Sequence, residues 1–115
     1  MTDIFTLPLF DKKLKHYKKK NPLLDRDYLK LLDLLEENPN PTTAIPLKDK
    51  VYKIRMANSS SNKGKSGGYR VYYFYKDNKD TLLLFYMHLK SDESNINDVR
   101  LDRLIIECEI FFDTL

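Results

Sequence analysis

The spacing of apolar residues changes period twice along this chain, and that change restricts the fold more than any single motif does. Phe10, Leu14 and Tyr17, then Tyr28, Leu31, Leu32 and Leu35, recur at helical intervals; from Val51 to Lys90 the pattern is that of strands; beyond Asn97 the helical interval returns. A helix pair, a run of strands and a closing helix predict an α+β class rather than an all-α or alternating α/β one. The 115 residues suit one core, so the chain reads as a single domain over 1–115.

The elements follow from local chemistry. Ile4-Phe5-Thr6-Leu7 is a short β-prone run ended by Pro8, compatible with a first strand. The helix from Phe10 carries Lys12, Lys13, Lys15, Lys18, Lys19 and Lys20 until Asn21-Pro22 interrupts it, which predicts a basic surface helix with His16 as a surface residue. Asp25 is the expected cap of the second helix, and Asn38-Pro39-Asn40-Pro41 stops it. The short Asn-Pro connection predicts an antiparallel helical hairpin. After Pro46, Val51 to Asn58 alternates, with Tyr52, Ile54 and Met56 on one face and Lys53 and Arg55 on the other. Tyr69 to Tyr75 and Thr81 to Lys90 are two further strands across the turn-like Lys76-Asp77-Asn78-Lys79-Asp80, so an antiparallel meander is expected. Ser59 to Gly68 holds all three glycines together with Lys63 and Lys65, and is expected to be a mobile or sharply turned loop.

In the last segment Leu101, Leu104, Ile105, Cys108, Phe111, Phe112 and Leu115 form one stripe, with Asn97 as N-cap and Ile96 with Leu101 as a hydrophobic staple. Cys108 lies in that stripe and reads as a small core residue rather than a reactive thiol. Val99, Ile106 and Ile110 form a thinner second stripe, to be covered by a neighbouring element or by a partner.

Several functions are excluded early. No apolar run approaches the ~18 residues needed to span a bilayer and the N-terminus lacks a basic segment followed by an apolar one, so a cytoplasmic protein without membrane contact is expected. A single cysteine forms no internal disulfide, and without a His cluster neither a metal site nor a cofactor is expected. Ser59 to Ser66 ends in Gly64-Lys65-Ser66 like a phosphate-cradling loop, but Ser59 replaces the first glycine and a strand, not a helix, follows; nucleotide binding is rejected.

Charge is unevenly placed. Residues 1–47 hold 8 basic and 7 acidic side chains, residues 48–91 hold 10 and 3, and residues 92–115 hold 2 and 7. The cationic middle suits a polyanion, although solvated lysines would give the same count. Strand alternation puts Lys53 with Arg55, Arg70 with Tyr72, and Tyr86 with His88 and Lys90. If those faces coincide they form a cationic, aromatic surface suited to RNA: cations meet phosphate, tyrosine rings stack on unpaired bases, and His or a desolvated Lys moves a proton near neutral pH.

The order strand, helix, helix, then Val51-Tyr52-Lys53-Ile54-Arg55, then Lys63-Gly64-Lys65-Ser66-Gly67-Gly68-Tyr69-Arg70-Val71, then Leu83 to Lys90, resembles the RelE/ParE superfamily of bacterial toxins over nearly the whole chain, HigB-type members most of all. The resemblance implies a small RelE-like fold and a toxin of a type II toxin-antitoxin system. Its activity would be that of a hydrolase, an mRNA interferase that cuts mRNA in the ribosomal A site. Implied partners are the ribosome with its mRNA, a cognate antitoxin that neutralises the toxin, and operator DNA through the antitoxin complex. By motif match it places Lys53, Arg55 and Arg70 at the scissile phosphate, with Lys63 and Lys65 in the loop and Lys90 at the end of the last strand. RelE itself has an Arg directly after the lysine that Lys90 matches and a Tyr several residues later. Here Ser91 follows, then Asp92, Glu93 and Asn95, so the resemblance assigns neither general base nor general acid.

The chemistry itself is definite. A base deprotonates a ribose 2′-OH, cations stabilise the pentacoordinate phosphate, an acid protonates the departing 5′-oxygen, and no metal is required. Lys53, Lys65 and His88 are base candidates, Arg55, Arg70 and Lys90 supply charge, and Lys63, Tyr72 and Tyr86 are expected to contact RNA, with Tyr73 a further aromatic candidate. The stripe Val99, Ile106 and Ile110, beside Asp98, Asp102, Glu109 and Asp113, is the expected antitoxin surface. Two other functions fit the same features: a ParE-like poison of DNA gyrase without nuclease activity, and a non-catalytic nucleic-acid-binding module.

Overall fold

Pro8 both ends the first strand and starts a helix, because its fixed φ and missing N–H suit the first helical position. In the computed structural model, which describes residues 1–61 and 67–115, strand β1 (Asp3–Thr6) leads into helices α1 (Pro8–Lys18) and α2 (Leu24–Glu37). Strands β2 (Ile45–Lys48), β3 (Val51–Met56), β4 (Tyr69–Lys76) and β5 (Thr81–Leu89) follow, and helix α3 (Asp98–Asp113) closes the chain. The five strands form one sheet in the order β1-β5-β4-β3-β2. The meander is antiparallel, as expected, but β1 joins its far edge parallel to β5. β2 went unforeseen: four residues with Pro46 among them carry little strand signal, and what holds them is pairing with Val51, Tyr52 and Lys53. The turn between β2 and β3 puts Lys50 at φ 64°.

Two apolar clusters sandwich the sheet. On one side Phe10, Tyr17, Leu24, Leu31 and Leu35 of α1 and α2 pack on Ile54, Met56, Tyr69, Val71, Tyr73, Leu82, Leu84 and Met87. On the other, Leu101, Leu104, Cys108 and Phe112 of α3 pack on Val51, Tyr72, Phe74, Leu83, Phe85 and Tyr86. Strand β5 is buried from Thr81 to His88, and a bulge makes this possible: Tyr72 pairs with Tyr86 and Tyr73 with Leu84, so Phe85 is the extra residue. That insertion lets Phe85 and Tyr86 both join the cluster under α3.

Three local expectations are corrected. Asp25 does not cap α2; Leu23 holds the cap position, no side chain caps it, and Asp25 lies in the first turn, where its charge still favours the helix dipole. The strand from Val51 stops at Met56, short of Asn58. Leu115, placed in the core stripe by period, is exposed because α3 ends at Asp113. Asn97 does cap α3, its Oδ1 accepting from the backbone N–H of Val99 (2.9 Å) and Arg100 (3.3 Å), and Ile96 and Leu101 are both buried beside it. Cys108 is fully buried, and burial pushes its thiol up to about 12, the behaviour of a packing residue.

Candidate nucleic-acid interface

Strand register decides whether scattered cations become a site. Arg55 pairs with Arg70 and Arg70 with His88; one step along, Lys53 pairs with Tyr72 and Tyr72 with Tyr86. The six residues therefore stand in two adjacent cross-strand rows on one face of β3, β4 and β5. Lys90 follows at the end of β5, its backbone N–H donating to the Gly68 carbonyl at 3.1 Å. Lys63 and Lys65 lie outside the described residues.

Two arginines stand directly opposite one another, Arg55 on β3 and Arg70 on β4, which concentrates positive charge on this face. Arg70 also carries an unmet demand. Its Nη1 is buried and has no hydrogen-bond partner among the described residues, although buried polar atoms are nearly always satisfied. Lys53, Arg55 and Arg70 border one cavity of about 430 Å³, completed by Leu34, Thr43, Ile45 and Ile54. Gly68 permits this crowding: a Cβ built there would stand 3.0 Å from Arg55 Nε and 3.1 Å from the Met56 carbonyl.

The aromatic half of the site differs from expectation. Tyr72 is 1% exposed, and Tyr86 and His88 are fully buried, so none of the three offers a ring face for a base to stack on. What covers them is the segment between β5 and α3, strapped across the face by hydrogen bonds from several elements. Tyr17 donates to Asp92 (2.7 Å), Tyr86 to Glu93 (3.0 Å) and Lys53 to Asn95 (3.1 Å), while the Ile96 N–H donates to the Tyr72 hydroxyl (3.2 Å). Arg100 lies over the Tyr86 ring at 4.7 Å and Lys13 at 5.1 Å. Spacing carried no signal for the strap, since most of its partners are distant in sequence.

His88 is also corrected as a surface base. Its Nδ1 lies 2.9 Å from the Leu89 carbonyl, which only accepts, so Nδ1 carries the proton and Nε2 accepts from the Tyr72 hydroxyl at 2.9 Å. Burial lowers its pKa below the usual histidine value, which agrees with a neutral ring. Burial likewise raises the Tyr72 phenol and pushes Tyr86 up to about 12, so both hydroxyls stay protonated. Tyr73 belongs to the opposite cluster, its hydroxyl donating to the Pro39 carbonyl at 3.0 Å.

The base of the loop after β3 is anchored by a contact that periodicity did not reveal. Asp27, 4% exposed on α2, accepts from the Ser59 N–H (2.8 Å) and hydroxyl (2.5 Å), and the Leu23 N–H donates to the Ser60 hydroxyl (3.1 Å). At the far end of the loop Asn21 donates to the Tyr69 hydroxyl. The outer stripe of α3 is as expected: Val99, Ile106 and Ile110 are 60%, 57% and 57% exposed. Asp102 beside it is engaged by Lys48. Among the described residues no group of three or more His, Cys, Asp or Glu side chains is placed to hold a metal ion, and no helix is long and apolar enough to cross a membrane.

No family model matches this sequence, and no curated protein matches it. Among solved structures, the crystal structure of the isolated E. coli RelE toxin aligns with a TM-score of 0.54 at 18% identity, covering 90% of this chain and 96% of that one. Five strands in one mostly antiparallel sheet, two helices on one face and one on the other thus make this a chain with the α+β fold of the RelE toxin.

Proposed function

We propose that the chain is the toxin of a type II toxin-antitoxin pair, a ribosome-dependent endoribonuclease that cuts mRNA in the A site. The observation that carries this reading is the buried Nη1 of Arg70, which has no hydrogen-bond partner among the described residues and stands in a cationic cross-strand row with Arg55 that suits an anion. A phosphodiester supplies that anion, and its negative charge grows as the 2′-oxygen adds to phosphorus. Arg70 and Arg55 take the non-bridging oxygens, and Lys90 adds charge at the end of β5. Lys53, which borders the same cavity, is the base candidate among the described residues; Lys65 is the other. His88 works from behind, holding the Tyr72 hydroxyl and thereby the strap at Ile96.

The RelE likeness supports this assignment over a gyrase poison only through the site it positions, since a fold hosts more than one activity. The outer stripe of α3 is the proposed antitoxin surface, where apolar anchors meet Val99, Ile106 and Ile110 and basic residues meet Asp98 and Glu109. Any operator DNA contact would run through that complex.

Mapping RNA 5′ ends after induction of the gene in bacterial cells separates the readings. Cuts confined to translated regions, with arrest of protein synthesis, support the nuclease. DNA damage and filamentation with intact mRNA would replace it by the gyrase reading, and absence of any toxicity by a simple binding module.

A further inference from the structure

Six of the nine residues from Lys12 to Lys20 are lysines and none is acidic. Helix α1 spends its apolar positions inward, Phe10, Leu14 and Tyr17 packing on the sheet. Lys12, Lys15, His16 and Lys19, at i, i+3, i+4 and i+7, are all exposed on the outward side. Lys18 is engaged by Asp25 at 2.8 Å and Lys13 lies over the rings of Tyr17 and Tyr86. Among the described residues, no carboxylate is within ion-pair distance of Lys12, Lys15, Lys19 or Lys20. The helix dipole rewards cations in the last turn, but it gives no reason for Lys12. This face lies across the sheet from α3 and is separate from the cavity that Lys53, Arg55 and Arg70 border.

We propose that the outward face of α1 is a second RNA-docking surface, which seats on the phosphate backbone of folded RNA without reading its sequence. Charge complementarity selects a polyanion, and the side-chain inventory selects among polyanions. A membrane surface needs an apolar face to insert beside the cations, and every apolar residue of this stretch is turned into the core. An unpaired strand is held by stacking on a row of exposed rings, and with Phe10 and Tyr17 buried this face offers the ring of His16 alone. Point charges spaced along a rigid helix suit the regular phosphates of duplex RNA. The surface deepens the ribosomal reading above by giving the protein a grip on structured RNA apart from the message it would cut, and it requires no cleavage.

The test is binding of a labelled RNA duplex of about 20 base pairs by the intact protein as a function of salt. The variant Lys12→Gln/Lys15→Gln/Lys19→Gln keeps helix propensity. It is expected to bind about tenfold more weakly at low salt, with a log–log salt slope shallower by roughly 2 to 3, since each phosphate contact contributes ~0.7 to 0.9. Each single substitution should account for part of that change. Lys30→Gln/Lys79→Gln/Arg103→Gln removes the same charge from exposed positions elsewhere and should leave the slope nearly unaltered. Equal losses in both triple variants, an unaltered α1 variant, or binding to phosphatidylserine vesicles without binding to the duplex would each overturn the proposal. α1-dependent duplex binding by a protein that proves to cut no RNA would uphold the surface and remove the nuclease reading alone.

Discussion

Arg70 is held where strand β4 leaves the glycine pair, with one guanidinium nitrogen buried and without a partner among the described residues. A guanidinium fixed in that way is suited to bidentate phosphate contact, which an ammonium reproduces only in charge. Arg70→Lys should therefore rescue only part of what Arg70→Ala loses, as read from cleavage rates on programmed ribosomes. Gly68 offers a subtler test. An alanine there meets Arg55 Nε and the Met56 carbonyl at close range, so Gly68→Ala should displace the Arg55 guanidinium and lower cleavage by about tenfold, ~1.4 kcal/mol. Its thermal unfolding should stay within a few degrees of the wild type. His88 sets a pH limit on stability. Its folded pKa lies below the unfolded value near 6.5, so the unfolded chain takes up the proton first. The stabilising contribution is complete above that value and declines as pH falls through the folded one. Urea unfolding at a series of pH values should show this decline in the wild type and a flatter profile in His88→Gln.

Elements differ in how far sequence chemistry determined them. α3 was legible because cap, staple and stripe agree, and because its core face needed only period to be found. The outer stripe of the same helix was legible for the same reason. Ile106→Asp should weaken antitoxin binding by more than ~1 kcal/mol while leaving ribosome-dependent cleavage unaltered, which calorimetry and a cleavage assay together would check. β2 was not legible, since its reason for existing is a neighbour's unpaired edge and not its own residues. The bulge at Phe85 was hidden too, because a run buried on both faces shows no alternation from which a slip can be read. The anchor between α2 and the loop after β3 belongs to this class. Asp27→Ala would leave the Ser59 N–H without its acceptor and should destabilise the fold by about 2 to 4 kcal/mol, measured by urea unfolding, an effect out of proportion to a helix residue chosen by propensity.

At the scale of the whole molecule, the sheet turns separate cationic positions into one face. Alternation within each strand predicted which side chains share a side, and the observed register aligned Arg55, Arg70 and His88 in one row and Lys53, Tyr72 and Tyr86 in the next. Alternation says nothing of what lies above a face. The strap from Asp92 to Ile96 buries Tyr72, Tyr86 and His88, and its hydrogen bonds join residues from α1, β3, β4 and β5. The aromatic residues thus became the frame of the site, and Lys53, Arg55 and Arg70 its open part. The central claim is that this open part cleaves RNA by 2′-OH attack, and one measurement addresses it. Purified wild type and Arg70→Ala are incubated with ribosomes carrying a defined mRNA, and the fragments are quantified with their end groups. The account predicts cutting by the wild type that leaves 5′-hydroxyl fragments, and a rate about a hundredfold lower in the variant, corresponding to loss of ~3 kcal/mol of transition-state stabilisation. Equal rates in the two proteins, 5′-phosphate ends, or an intact message with the wild type would contradict it.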